Sequence, residues 1–224
     1  MNAIEVKNLC KIYNQNKPNE FCALKNINLS VKSGELVILK GVSGSGKSTL
    51  LGILGALSKP SSGEALINGR NVSKLPDIMS SNFRHSEVGF IFQSFNLLEG
   101  LSVYQNVLAP LSLTGLKKAE LNSQIEQVLN LANIAHKKDQ IVSKLSGGEK
   151  QRCAIARALA MDPGIILADE PTANLDKQNS LIFIEMLQKF KELKKTVIVA
   201  THDILFDELG FVDGYIKMQN GEIS

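Results

Sequence analysis

LVILKGVSGSGKSTLLGIL, residues 36 to 54, sets a short apolar run, a glycine-rich turn and a helical apolar pattern in direct succession. An apolar run that does not alternate, bounded by glycine and charge, is the pattern of a strand buried on both faces. The turn GVSGSGKS, residues 41 to 48, matches G-x-x-x-x-G-K-[ST] and stands between strand and helix, where that pattern has physical meaning. Gly41, Gly44 and Gly46 allow the backbone to curl until its amides face a β-phosphate. Lys47 reaches the β- and γ-phosphates, and Ser48 offers its hydroxyl to Mg2+. A ligand-free glycine turn would leave this strand-loop-helix setting without a purpose.

Working outward, IILA at 165 to 168 and VIVA at 197 to 200 repeat the buried-strand pattern, so the spacing predicts an α/β fold with a parallel sheet covered by helices. Earlier in the chain, Ile4 and Val6, then Ile27, Leu29 and Val31, alternate with polar residues, which predicts antiparallel strands with one buried face. INGR at 67 to 70 and QNGE at 219 to 222 place Asn-Gly pairs where two-residue hairpins require them. From about 95 to 160 the spacing turns helical, through Leu121, Ile125, Val128, Leu129 and Ala132 and then Ala154, Ile155, Ala158 and Leu159. A helical subdomain is expected there, inside a single domain spanning residues 1–224, since no repeat or low-complexity tract marks a second one.

Composition narrows the function classes. The 224 residues are 44% hydrophobic and 21% charged, as in an ordinary soluble globular chain. The longest apolar run, LLGILGAL at 50 to 57, falls far short of the roughly 20 residues that cross a bilayer. MNAIEVKNLCK has no signal-peptide core, so a cytoplasmic location is expected unless a partner holds the chain at a membrane. The net charge of +3 is mild and the lysine pairs are scattered, which gives nucleic-acid binding no support. Cys10, Cys22 and Cys153 are odd in number and nowhere spaced CxxC, a usage that fits a reducing compartment without disulfides or zinc. Cys153, in CAIARALA, reads as core packing.

Further chemistry lies in three later motifs. IILADEPTANLD, 165 to 176, delivers Asp169 and Glu170 from an apolar strand to the edge where open parallel sheets bind ligands. Asp169 is placed to hold Mg2+ through its water shell, and Glu170 to polarise an attacking water as general base. KTVIVATHD, 195 to 203, brings His202 to the same edge, in reach of a γ-phosphate or that water. LSGGEKQR, 145 to 152, joins Ser146 and two glycines to a charged helical run, which presents amides at a helix N-terminus and so forms a second anion cradle.

With these residues the chain resembles, over essentially its whole length, the ATP-binding cassette ATPases that drive ABC transporters. LSGGE is similar to the signature sequence of that family. The resemblance implies a phosphate-loop NTPase fold: a RecA-like parallel core, an N-terminal antiparallel β subdomain and an inserted α-helical subdomain. It implies ATP and Mg2+ as cofactors, and it extends the phosphate loop to Ser43, Ser45 and Thr49. Tyr13 resembles the aromatic that stacks on adenine. Gln93, in IFQSFN, resembles the glutamine that senses Mg2+ and water. Asn174, Leu175 and Asp176 resemble a loop that crosses between subunits. The second cradle then has a reason. In a head-to-tail dimer Ser146, Gly147, Gly148 and Glu149 of one chain would close the γ-phosphate cage of the other.

An integral membrane permease is the other implied partner, holding the chain at the inner face of the cell membrane. Phe95, Leu97, Leu98 and Leu101 are expected to help line the cleft that receives it, or else to pack the helical subdomain. The insertion NQNKPNEFCAL, the run VGFIFQSFNLLEGLSVYQNV, the form ANLD and a tail that leaves no room for a regulatory domain after Ser224 are most similar to one branch. That branch holds the lipoprotein-releasing, macrolide-exporter and cell-division ATPases, whose membrane partners often transmit force. Lys40, the pair Glu149-Lys150 and Cys153 depart from its usual residues. A soluble ABC ATPase of iron–sulfur cluster assembly would share every catalytic motif and is the alternative. Genome-maintenance heads need a long coiled coil that the interval here lacks, translation factors carry two cassettes, and a small-molecule kinase would leave LSGGE idle.

Overall fold

The computed structural model describes all residues 1–224. The strands β1 (Asn2–Tyr13), β2 (Phe21–Lys32), β4 (Ser62–Ile67) and β5 (Arg70–Asn71) form an antiparallel sheet in the order β2-β1-β4-β5. A six-stranded sheet contains β3 (Leu36–Lys40), β6 (Val88–Ile91), β7 (Ile165–Asp169), β8 (Thr196–Thr201), β9 (Gly214–Gln219) and β10 (Glu222–Ile223). Its order is β10-β9-β3-β8-β7-β6, parallel except for β10. The helices are α1 (Lys47–Leu54), α2 (Asp77–Glu87), α3 (Val103–Leu111), α4 (Lys118–Leu131), α5 (Gly147–Leu159) and α6 (Lys177–Glu192).

Alternate residues of the three central strands serve two different cores. Leu36, Ile38, Ile166, Ala168, Val197 and Val199 join a cluster with the side chains of α3 to α6. Val37, Leu39, Ile165, Leu167, Ile198 and Ala200 join a second cluster with α1, α2 and the antiparallel sheet. A strand with a core on each face has no polar position to spare, hence the unbroken apolar runs. β1 and β2 have one buried face and alternate accordingly: Ile4, Val6, Ile27 and Val31 point inward. Both Asn-Gly turns form as expected, with positive φ at Asn68, Gly69, Asn220 and Gly221 and flanking pairs Ile67 with Arg70 and Gln219 with Glu222.

The helical stretch expected after residue 95 resolves into α3, α4 and α5. Pro110 in the last turn of α3 and the reciprocal Ser102–Gln105 cap at its start set its bounds. The C-terminal end of α5 stays on α4 and also lies on β6, where a Cβ at Gly89 would come 2.6 Å from the Ala158 carbonyl oxygen. β6, α2 and α6 add to the elements read from sequence.

Candidate active site

Every strand of the parallel set that carries a motif ends at the same sheet edge. β3 runs into the glycine loop, and β8 lies between β3 and β7, so the loop, Asp169, Glu170 and His202 become neighbours. The loop is tightly wound. Gly44 and Gly46 have φ of 78° and 104°, and a Cβ on Gly41 would lie 2.4 Å from the Met218 carbonyl oxygen. From outside, Gly221 of the C-terminal hairpin donates its N–H to the Ser45 carbonyl at 3.0 Å and fixes the loop's curvature. α1 has no side-chain cap and no acidic residue in its first turn, so its amides stay available to an anion.

Lys47 is only 4% exposed. Its Nζ donates to the carbonyls of Gly41 at 2.7 Å and Val42 at 3.1 Å, and pairs with Glu170 Oε1 at 3.1 Å. The buried cation is therefore fully partnered, as burial demands. Ser48 Oγ donates to Asp169 Oδ1 at 2.9 Å. Burial pushes the Asp169 carboxyl above its ordinary pKa, the Ser48 hydrogen bond opposes that shift, and the adjacent Glu170 charge adds to it. A hydroxyl and a desolvated carboxylate in contact make a hard-oxygen donor pair that fits Mg2+ shared with phosphates.

Glu170 sits just past β7 with φ of 45°, held there by its N–H on the Ala200 carbonyl at 2.8 Å. Its Oε2 accepts from His202 Nδ1 at 2.9 Å and from the His202 backbone N–H at 3.3 Å. The carboxylate can only accept, so the imidazole carries its proton on Nδ1; the His202 ring lines a neighbouring cavity with Lys40, Gly41 and Val42. A cavity of about 220 Å3 joins Ser43 to Thr49 with Gln93, Glu170, Phe21 and Ala23. Phe21 was not legible as a site residue from sequence. The signal was there in Tyr13, its cross-strand partner at the end of β1. Tyr13 itself lies beside this lining rather than in it.

Ser146, Gly147, Gly148 and Glu149 do not line that cavity. Ser146 caps α5 through a reciprocal pair with Glu149: its N–H and Oγ both donate to Glu149 Oε2, at 2.8 and 3.0 Å. The backbone N–H of Ser146 is the chief cause that holds the Glu149 carboxyl below its usual range. The start of α5 is fastened to the chain beyond Glu170. Gln151 donates to the Pro171 carbonyl, Arg152 Nη1 to Asn179 Oδ1 at 3.1 Å, and Asp176 caps α6 by accepting from Asn179 N–H at 2.8 Å. Asn174 Nδ2 donates to the Gln93 carbonyl at 2.9 Å, which ties these two loops together.

The apolar loop after Gln93 divides. Leu97 packs on the helical core, and Leu98 is 47% exposed. Arg157 of α5 holds the loop by donating to the carbonyls of Phe95 at 2.8 Å and Asn96 at 2.6 Å, and Lys150 faces Glu99 at 3.8 Å. Cys153 is fully buried, and desolvation pushes its thiol pKa up to about 12. No helix is long and apolar enough to cross a membrane.

The model of the ABC transporter family matches residues 24–173. The chain is 42% identical to the lipoprotein-releasing system ATP-binding protein LolD of Pseudoalteromonas translucida, over 98% of this chain and 97% of that one. It is 41% identical to the ABC transporter ATP-binding protein YvcR of Bacillus subtilis, over 91% and 79% of the two chains. Among solved structures, the dimeric post-hydrolysis state of the ATP-binding cassette MJ0796 bound to ADP and Pi superposes with a TM-score of 0.91 at 38% identity, covering 99% of this chain and 96% of that one.

Proposed function

The chain belongs to the ABC transporter ATP-binding family and is an ATP-binding, ATP-hydrolysing cassette; from that premise we propose how its residues divide the work and what they work with. The observation that carries the proposal is the convergence of Lys47, Ser48, Asp169, Glu170 and His202 on one sheet edge, linked by contacts of 2.9 to 3.1 Å. Residues Gly41, Ser43, Gly44, Ser45, Gly46 and Thr49 wrap the phosphates, and Lys47 neutralises the β and γ groups. Ser48, Asp169 and Gln93 would hold Mg2+, which when bound spreads the charge of the leaving phosphates. Glu170 takes the proton of the attacking water. His202, steered by its Nδ1–H on Glu170, presents Nε2 to the γ-phosphate or to that water.

The second anion cradle, on α5, completes the site of another copy. Two chains related by a two-fold axis enclose two nucleotides, each between the glycine loop of one and Ser146 to Glu149 of the other. Hydrolysis removes the γ-phosphate contacts and with them the closure. The dimeric state of the MJ0796 cassette supports this arrangement. A separate integral membrane permease receives the motion and keeps this cytoplasmic chain at the inner membrane face. The likeness to LolD supports an exporter or force-transmitting type, with the exposed Leu98 loop as part of the docking cleft. We assign residues 1–224 to one cassette domain, with 95–160 as its helical subdomain.

Light scattering tests the dimer. Glu170→Gln should bind ATP, stall and run as a stable dimer under saturating Mg-ATP, and Ser146→Arg in that background should return it to a monomer with ATP still bound. A Glu170→Gln monomer that binds ATP stoichiometrically would refute the shared site.

A further inference from the structure

The sequence has one aromatic residue in the expected base site, Tyr13, but the structure sets two there. Tyr13 and Phe21 are the last directly opposed pair of β1 and β2, so their side chains leave the sheet on the same face, about 5 Å apart at Cβ. Both rings are exposed, Phe21 by 57%. An exposed phenylalanine at a strand end is ordinary in isolation. Here it lines the cavity formed by residues 43 to 49, Gln93 and Glu170, together with Ala23, the extra residue of β2 at a bulge between Cys22 and Leu24.

Tyr13 is already engaged. The Lys11 ammonium lies 5.0 Å from its ring centroid and is anchored by donating to the Lys59 carbonyl at 2.6 Å. Phe21 has no such partner over its ring. Its register is fixed from below, because β2 presses on the phosphate loop: a Cβ at Gly46 would meet the Ala23 carbonyl oxygen at 2.7 Å and Leu24 at 3.0 Å. The ring is thus tied to the cradle through two residues of strand rather than through the mobile length of a loop.

We propose that Phe21 is a base-binding residue of the ATP site: its ring, beside Tyr13, forms the wall nearest the phosphates and makes the site select nucleotides over bare polyphosphate. The proposal rests on the ATP-site reading above. An exposed apolar ring loses water when a purine covers it, and base–aromatic stacking is sequence-tolerant and selective only for having a base at all.

The chain contains no tryptophan, which makes the test direct. Phe21→Trp introduces a single indole, whose emission should change on titration with ATP and saturate with the calorimetric binding isotherm, while inorganic tripolyphosphate at saturation leaves it unchanged. Phe21→Ala should weaken ATP binding roughly tenfold and tripolyphosphate binding less than twofold, with Phe21→Tyr close to the parent chain. Equal losses for ATP and tripolyphosphate in Phe21→Ala would mean that the ring shapes the loop instead of meeting the base, and unchanged ATP affinity would also overturn the proposal. If the parent chain bound neither ligand, the ATP-site reading itself would fall.

Discussion

Gly148→Ala tests the fastening of α5 to the chain beyond Glu170. A Cβ on Gly148 would stand 2.0 Å from Asn179 Oδ1 and 2.3 Å from its Cγ, so the Asn179 amide must leave its place. Displaced, it gives up the hydrogen bond from Arg152 and loosens the cap that Asp176 forms on α6. Overpacking of this kind costs about 1–3 kcal/mol, and the lost Arg152 bond about 1 kcal/mol. Alanine in a helix returns about 1 kcal/mol against glycine. The net is about 2 kcal/mol of destabilisation, which should lower the urea midpoint by about 1 M.

A double-mutant cycle separates this mechanism from general damage. Asn179→Ala removes the obstructing amide, so adding Gly148→Ala to it should leave only the helix gain of about 1 kcal/mol, giving a coupling of about 3 kcal/mol. The assay is equilibrium urea unfolding of the four chains, followed by ATP turnover at saturating nucleotide. Equal losses from Gly148→Ala in both backgrounds would refute the steric argument, as would a parent-like midpoint for the single variant. Turnover should fall in Gly148→Ala beyond what its unfolded fraction explains, because in the proposed dimer α5 presents Ser146 to the partner's nucleotide.

Asp169→Asn should stabilise the nucleotide-free chain at pH 7 while abolishing Mg-ATP hydrolysis. Burial raises the Asp169 pKa, so the folded chain keeps a proton that the unfolded chain has lost, and stability falls as pH climbs from 3.8 through the raised value. That deficit persists at neutral pH and vanishes below pH 3.8, so the urea midpoints of the two chains should converge in acid; a lower midpoint for the variant at pH 7 would contradict this. Cys153, with its thiol pKa near 12 and no exposure, should resist iodoacetamide in the native chain at pH 8 and react only in denaturant, with mass spectrometry reading each site.

Which parts of the molecule could be read in advance follows from how locally each was encoded. β3, β7 and β8 announce themselves because both of their faces are buried, and the Asn-Gly hairpins because two adjacent residues must both take positive φ. β6 is hidden by Gly89, which exists for the sake of Ala158 some seventy residues away. α2 buries only Ser80 and Phe83, too few for a stripe. α6 shows its stripe plainly, with Phe183, Leu187 and Phe190, but carries no residue of chemical interest. In the site, Lys47, Asp169, Glu170 and His202 were legible because each lies at or beyond the end of a strand of one parallel sheet. Phe21, Met218 and Gly221 were not, since their roles arise only when β2 and the last hairpin close around the glycine loop.

The contacts of Lys47 and Glu170 also bear on when the proposed general base is freed to meet water. Without nucleotide the two charges neutralise each other at 3.1 Å in a buried setting. A triphosphate in the cradle competes for the same ammonium with more negative charge and better geometry for its oxygens. As Lys47 turns to the phosphates, Glu170 keeps only the His202 contacts on Oε2, and Oε1 is left free to accept a hydrogen bond from water. Binding of the phosphates and release of the carboxylate oxygen are then one event, because a single lysine cannot satisfy both anions. Replacing the carboxylate by an amide removes that competition as well as the base, so a Glu170→Gln chain should hold ATP more tightly than the parent in addition to failing to hydrolyse it.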